Sequence, residues 1–470
     1  MIRRLVCLAL AAATVTLLAA TAATAAPRMW IGFHDDPTFR WRPDRADNLD
    51  GATQVGSTVI RAWVYWPQIA PTRPANPANP FDPAYRMDDL DELVRGAQAR
   101  GEEVLFTIWG VPKWANGGKG ANYAPKNYKD WQTFCKAVAS RYSGRNSGYP
   151  FVRFYSVWNE PNLNQFLAPQ FTKGKPSSPA IYAKLYRAAY AGIKSASPSA
   201  LVAAGDTSPR GRDKPLGSNS TQDTLSPGNF AQLVSQQKPL IKFDAWAHHP
   251  YPTDLTAPVT QVVKWPNVSV SSLPRFEKSL NTWFKRKTTP IWIDEYGYQT
   301  KPANPKGVTP AKQAANIKQV LSILRGYSYV NMFIWFTYRD DSGNLWKSGI
   351  VDNTGTHKPG WNAFASAAPP FDARNAILPV AAGKSPTVSV SAIQLAAKNP
   401  VGTPIGLTYR VYQAGKLIAV AQPNPPLRFD GWITLPLKFI PAKGASYVVS
   451  VDMNAPSGDK LSHTLTLNAT

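Results

Sequence analysis

"YSVWNEPN", residues 155–162, sets Trp158, Asn159, Glu160, Pro161 and Asn162 in a row, directly after "FVRF". What precedes the row reads as a buried β-strand. Strand interiors disfavour Asn, Glu and Pro, so sheet stability does not explain this ending. A carboxylate beside an amide at a strand tip is a group placed for chemistry, and the fold follows from whether other strands end the same way.

They do. Strand-like runs lie at 29–35 (MWIGFHD), 57–66 (STVIRAWVYW), 102–110 (EEVLFTIWG) and 152–160 (VRFYSVWNE). Four more follow at 201–206 (LVAAGD), 243–251 (FDAWAHHPY), 290–298 (PIWIDEYGY) and 330–338 (VNMFIWFTY). Between them, patterns such as 87–101, 129–142, 180–196 and 311–326 repeat apolar residues at helical spacing. Near-continuous apolar strands alternating with helices predict a parallel sheet. Eight of them over about 340 residues predict a (β/α)8 TIM barrel, here residues 27–368. Each polar or aromatic tail falls at a strand's C-terminal end, the end that carries the active site in this fold.

Near residue 368 the texture changes. Residues 369–386 read as a linker, and 387–470 as a small immunoglobulin- or fibronectin-like β-sandwich with a hairpin about Ala414-Gly415. At the other end, residues 1–25 hold Arg3 and Arg4, an apolar run and the small-residue site Ala23-Thr24-Ala25. That is the pattern of a secretory signal, with an uncleaved anchor as the competing reading. Cleavage removes Cys7 and leaves Cys135 alone, so no disulfide forms within the mature chain and a large core must supply its stability. Cys135 lies in a helical pattern and reads as a packing residue. No Cys/His cluster suggests a metal, no cofactor is implied, and a secreted or extracellular monomer without a membrane span is expected.

The chain holds 52 Lys and Arg against 29 Asp and Glu. Such a field favours anionic surroundings: an acidic glycan, a phosphate-rich wall or a membrane surface. The alternative is that the excess only keeps the protein soluble. Nucleic acid is not expected, because no basic stripe or nucleic-acid motif accompanies the charge.

Two strand tips carry glutamates, Glu160 on the fourth and Glu295 on the seventh. Positions four and seven of an eight-strand ring face each other across the mouth, so the two carboxylates can flank one bond. Glycoside cleavage needs such a pair, about 5–5.5 Å apart for retention and farther apart for inversion. "WNEPN" followed by a strand-seven Glu resembles the retaining glycoside hydrolases of clan A, the 4/7 superfamily, and families 5 and 39 within it. Arg61 in "VIRAW", "HPY" (His249–Tyr251), Trp335 in "FIWF" and the closing stretch 349–365 add to the resemblance, which covers residues 29 to about 367.

The resemblance implies that Glu160 is the general acid/base and Glu295 the nucleophile, on a cellulase- or endoglucanase-like enzyme. It further implies that Arg61 keeps the nucleophile ionised and Asn159 binds the sugar 2-hydroxyl. Tyr251 or Tyr298 would orient the nucleophile, His249 would contact substrate or pack, and Trp335 would floor the subsite where the bond breaks. Trp109 and Trp66 are candidate sugar platforms within a cluster that includes Trp63, Trp114 and Trp158. Asp294 competes with Glu295 as nucleophile, though the Glu-aromatic-Gly pattern and the alternation of "IWID" favour Glu295. Family 5 members often carry a His at the end of strand three, where this chain has Trp109-Gly110. The expectation is a secreted retaining β-glycosidase acting on a polysaccharide, endo-acting if loops 111–128, 161–178 and 207–227 wall a cleft. A transglycosylase would use the same residues, and a lapsed glycan-binding barrel would have no reason to keep all of them.

Overall fold

The computed structural model describes residues 29–217, 220–341, 346–367 and 377–470. The expected signal (1–25) and residues 369–376 of the expected linker lie outside them.

Eight parallel strands close into a barrel: β1 (Trp30–His34), β2 (Val59–Tyr65), β3 (Glu103–Trp109), β4 (Phe154–Val157), β5 (Leu201–Thr207), β6 (Ala245–His248), β7 (Ile291–Tyr296) and β8 (Val330–Phe336). A helix follows each in turn: α1 (Arg45–Gln54), α2 (Asp88–Ala99), α3 (Tyr128–Arg141), α4 (Ser178–Ala196), α5 (Pro227–Ser235), α6 (Leu273–Phe284), α7 (Pro310–Arg325) and α8 (Pro359–Ala367). This is the expected TIM barrel. Among the described residues no helix is long and apolar enough to cross a membrane.

Strand period two sorts the side chains into two sets. One set faces the helices and joins the large outer core, with Phe33, Ile60, Phe106, Tyr155, Ile293 and Trp335 in it. The other fills the barrel, apolar at the bottom with Trp30, Val59, Leu105, Phe154, Trp292 and Met332. Higher on the same faces come His34, Arg61, Thr107, Ser156 and Asp294, all buried. The barrel interior therefore turns from oily to ionic toward the C-terminal end. At Gly32 the packing is tightest, because a Cβ there would meet the Val59 carbonyl oxygen at 1.6 Å.

The C-terminal sheet is ordered β9-β15-β14-β11-β12, from β9 (Ile377–Val380), β11 (Gly406–Gln413), β12 (Lys416–Ala421), β14 (Ser446–Asn454) and β15 (Lys460–Ala469). It packs with the pair β10 (Thr387–Ser391) and β13 (Trp432–Pro436) over a separate core. The hairpin turns at Ala414-Gly415, both at positive φ (46° and 79°), as a two-residue connection between twisted strands requires.

The two units meet at the bottom of the barrel. Trp432 packs edge-on against Trp30, with ring centroids 6.1 Å apart, and its indole N–H donates to Glu103 Oε1 at 3.1 Å. Arg153 donates to the same oxygen at 2.8 Å and to the Asp430 carbonyl at 2.9 Å. The sandwich thus braces the end of the barrel opposite the strand tips.

Candidate active site

The tip of β4 leaves the sheet before Glu160. Trp158 and Glu160 both adopt positive φ, 77° and 39°, and the Glu160 N–H is tied across to the Asp206 carbonyl at 2.8 Å. Positive φ on such residues is strained, and strain of this kind collects at functional sites. The tip of β7 solves a different problem. Its pairing with β8 slips between Phe333 and Trp335, so that Trp335 pairs with Tyr296. A bulge of this kind inserts an extra residue and re-aims side chains, and consecutive Asp294 and Glu295 both face the ionic interior. The β5–β6 pairing slips likewise at Asp206, whose φ is 51°.

Arg61 is the hub of the site and is fully buried. Its Nη1 donates to Glu295 Oε2 at 2.7 Å and to His34 Nδ1 at 3.0 Å. Its Nη2 donates to Asn159 Oδ1 at 3.1 Å and Asp206 Oδ1 at 3.3 Å, and lies 3.6 Å from Asp294 Oδ2. Its Nε donates to Thr107 Oγ1 at 2.9 Å. The Tyr251 hydroxyl donates to Glu295 Oε1 at 3.0 Å.

His249 stands between the two glutamates. Its Nδ1 faces Glu160 Oε1 at 3.1 Å and Glu295 Oε2 at 3.9 Å. Its Nε2 lies 2.8 Å from Asp206 Oδ1 and 3.4 Å from Asp294 Oδ1.

These contacts separate the two glutamates electrostatically. Burial raises the Glu160 pKa, and the nearby Glu295 charge adds to this while His249 opposes it. Burial acts the same way on Glu295, but His249 and Arg61 outweigh it and hold that carboxyl below its ordinary value. Burial disfavours charge on His249 as well, yet Glu295, Asp294 and Asp206 hold it well above the usual histidine range. His34 is pushed down by burial and by Arg61, so it stays neutral.

Both glutamates line a cavity of about 460 Å3 with Ser208, Arg210, Tyr251, Asp254, Tyr298 and Trp346. Asp294 is fully buried and does not line it. That decides between the two neighbouring carboxylates as the group open to a substrate.

The structure brings together Glu160, Glu295, Asn159, Arg61, His249 and Tyr251. It corrects the aromatic expectations. Trp335 is fully buried on the helix-facing side of β8, and its indole N–H donates to the Ser348 carbonyl. The residue of β8 on the inner face is Phe336, half-buried and 5.2 Å from His34 ring to ring. Trp66 is sealed in the outer core against Phe134, Trp131 and Trp114, so it offers no face to a sugar. Trp109 is half-buried against Trp63, Tyr65 and Phe166, outside the cavity lining. Tyr298 borders the cavity, but its hydroxyl donates to the Ala257 carbonyl and not to the nucleophile candidate.

Trp346 is the aromatic that strand reasoning missed. It packs against Tyr251 at 5.3 Å from an irregular loop, where the only signal is a lone Trp among polar residues. Asp206 was also missed, although "AAGD" ends a strand in a carboxylate just as the tips of β4 and β7 do.

Among the described residues one group, Asp206, His249 and Asp294, has the spacing of a metal site. Its chemistry does not fit one. The Arg61 guanidinium already bridges both carboxylates, and a charged imidazole has no lone pair to give a metal.

The glycosyl hydrolases family 39 model matches residues 111–378, a span that holds both glutamates. The fold is similar to a family 39 glycoside hydrolase from the gut symbiont Bacteroides cellulosilyticus WH2, with TM-score 0.55 and 16% identity over 88% of this chain and 82% of that one. It is also similar to a GH5_18 structure from Streptomyces cattleya in complex with GlcNAc, with TM-score 0.52 and 14% identity over 79% of this chain and 87% of that one. At these identities the likeness is one of fold. No curated protein matches the chain.

Proposed function

The chain belongs to glycosyl hydrolase family 39, and from that premise we propose that it is a secreted, retaining β-glycosidase that cleaves a polysaccharide internally. One observation carries the catalytic assignment. Arg61, Tyr251 and His249 all converge on Glu295, whereas Glu160 shares only His249 with them. Glu295 is therefore equipped to remain an anion, and Glu160 to hold a proton.

In the first step a Glu295 oxygen attacks the anomeric carbon as the glycosidic C–O bond breaks, and Glu160 gives its proton to the departing oxygen. Glu295 becomes a neutral ester while Glu160 takes on the negative charge. His249 Nδ1, within reach of both, remains beside the charge as it moves. In the second step Glu160 takes a proton from water, the water oxygen attacks the anomeric carbon, and the ester bond to Glu295 breaks. Arg61 holds the Asn159 carbonyl oxygen, which leaves the amide nitrogen to donate to the sugar 2-hydroxyl. Trp346, beside Tyr251, offers the sugar an aromatic wall.

Arg210 and Asp254 border the same cavity with opposite charges, so its rim carries no net positive charge from this pair. We take the basic excess of the chain to favour an anionic, wall-associated setting over an anionic sugar in the cleft.

The test is product analysis on β-glucans, mannan, xylan, uronic-acid polymers and bacterial wall glycans, with Glu160→Gln and Glu295→Gln alongside. Oligosaccharides whose new reducing ends appear first in the β configuration, and a fall of about 10²–10⁴ in Glu160→Gln, are expected. On an aryl β-glycoside, whose phenolate departs without an acid, a Glu160→Ala variant should regain turnover in azide and release a β-glycosyl azide, because azide attacks the glycosyl-enzyme without a general base. Inverted products would refute the double displacement.

A further inference from the structure

The double displacement uses two carboxyls, yet four face one another in the buried cluster. Glu160 comes from the tip of β4, Asp206 from β5, and Asp294 and Glu295 from β7. Facing them are Arg61 from β2, His249 after β6 and neutral His34 from β1. A cluster buried this deeply, open only where Glu160 and Glu295 border the cavity, must stay close to neutral, since uncompensated charge in a protein interior is very costly. Both nitrogens of His249 lie against carboxyl oxygens, so both suit donors and the ring suits a cation. Arg61 and His249 then supply two positive charges, and neutrality leaves two of the four carboxyls protonated. The reaction needs Glu295 ionised and Glu160 protonated. One proton remains for Asp206 and Asp294 together.

The contacts fit that assignment. Asp206 Oδ2 accepts from Ser156 Oγ at 2.7 Å, Ser156 pairs with Thr107 Oγ1 at 2.8 Å, and Thr107 accepts from Arg61 Nε. Arg61 Nη2 returns to Asp206 Oδ1, closing a ring of hydrogen bonds beneath the site. Asp294 has no such neutral donors: His249 Nε2 lies 3.4 Å and Arg61 Nη2 3.6 Å from it, and the Asp206 carboxyl itself is the remaining partner, so a proton on Asp206 can be given to Asp294. Burial and the Asp294 charge raise Asp206 to about 7, while Asp294, despite burial, is held by Arg61 and His249 at about 2.

We propose that Asp206 and Asp294 are positioning residues: a carboxyl pair sharing one proton, whose single charge, added to that of Glu295, keeps His249 an imidazolium and its Nδ1–H directed at Glu160. They touch no substrate and act through His249. The proposal rests on the glycosidase reading for its purpose, but not for its test.

The chain has five histidines, so histidine-selective ¹⁵N labelling resolves the ring in the whole protein. His249 is identified by the signal lost in His249→Asn. Both of its nitrogens should carry protons from pH 5 to pH 8 in the wild-type protein. In the Asp206→Asn/Asp294→Asn variant only Glu295, 3.9 Å away and already paired with Arg61, remains to hold the charge, so the ring should lose its proton at a lower pH than in the wild type, within the range pH 5 to pH 8. Either single variant should leave it charged, because the remaining carboxyl can ionise. A neutral wild-type ring at pH 6, or a double variant still charged at pH 8, would overturn the pair's role. On a substrate the wild type turns over, the double variant should lose kcat and keep KM. Absence of any glycosidase activity would sink the proposed function and leave the ¹⁵N result standing.

Discussion

Glu295 accepts one hydrogen bond at each oxygen, from Arg61 and from Tyr251, and each favours its ionised form. Tyr251→Phe removes one of them at a cost of about 1.5–3 kcal/mol to the charged carboxylate. The sign follows directly. Loss of a donor to the anion raises the Glu295 pKa, and the nucleophile must be ionised. The acidic limb of kcat/KM therefore moves to higher pH, while the basic limb, set by Glu160, stays in place. An unmoved acidic limb would mean that Tyr251 does not govern the nucleophile. Arg61 is a larger commitment, because three carboxyls lie within 4 Å of it. Arg61→Met should destabilise the fold by about 3–5 kcal/mol, read by denaturant unfolding, because it leaves buried carboxylates uncompensated.

At the scale of the element, the alternation of β8 makes two opposite predictions. Trp335 faces the helices, so Trp335→Phe should lower Tm by opening a core void and leave KM unchanged. Trp346 lies in a loop at the cavity, so Trp346→Ala should raise KM and leave Tm nearly unchanged. Thermal melts and steady-state kinetics on the same two proteins separate the roles, and an exchange of the two outcomes would reverse the assignment. The tip of β4 depends on core packing too. Trp158 is fully buried and its indole N–H donates to the Phe166 carbonyl at 2.8 Å. The strained backbone that presents Glu160 is thus anchored by the residue two positions before it.

Across the whole molecule, chemistry and bracing sit at opposite ends of the barrel. Trp432 from the sandwich contacts Trp30 at the bottom and donates to Oε1 of buried Glu103, an oxygen it shares with Arg153. Trp432→Ala should cost about 3–5 kcal/mol and leave a buried carboxylate short of a donor. A chain ending at residue 386 should melt well below the full-length protein or fail to remain soluble. An equally stable truncated barrel would show that the sandwich is an independent module. The distance between brace and site means that Trp432→Ala, assayed well below its melting temperature, should keep its KM.

How much of this was legible beforehand follows from the range over which each signal acts. The eight strands, the alternating helices and the two glutamate tips depend on neighbouring residues and on period, which are properties of the chain itself. The barrel and the Glu160–Glu295 pairing across its mouth follow from those local patterns. Position 335 shows where period stops helping. "FIWF" places a Trp at the strand tip, but only the closed sheet decides which of two adjacent aromatics faces inward, and it turned Phe336 in and Trp335 out. The β7 bulge has the same origin, since it arises from pairing with a strand some forty residues later and brings Asp294 and Glu295 onto one face. Asp206, His249 and Trp346 sit far apart along the chain, on β5, after β6 and in the loop beyond β8. Their convergence, and the charge balance that assigns each proton, exists only once the barrel has closed and excluded water from between them.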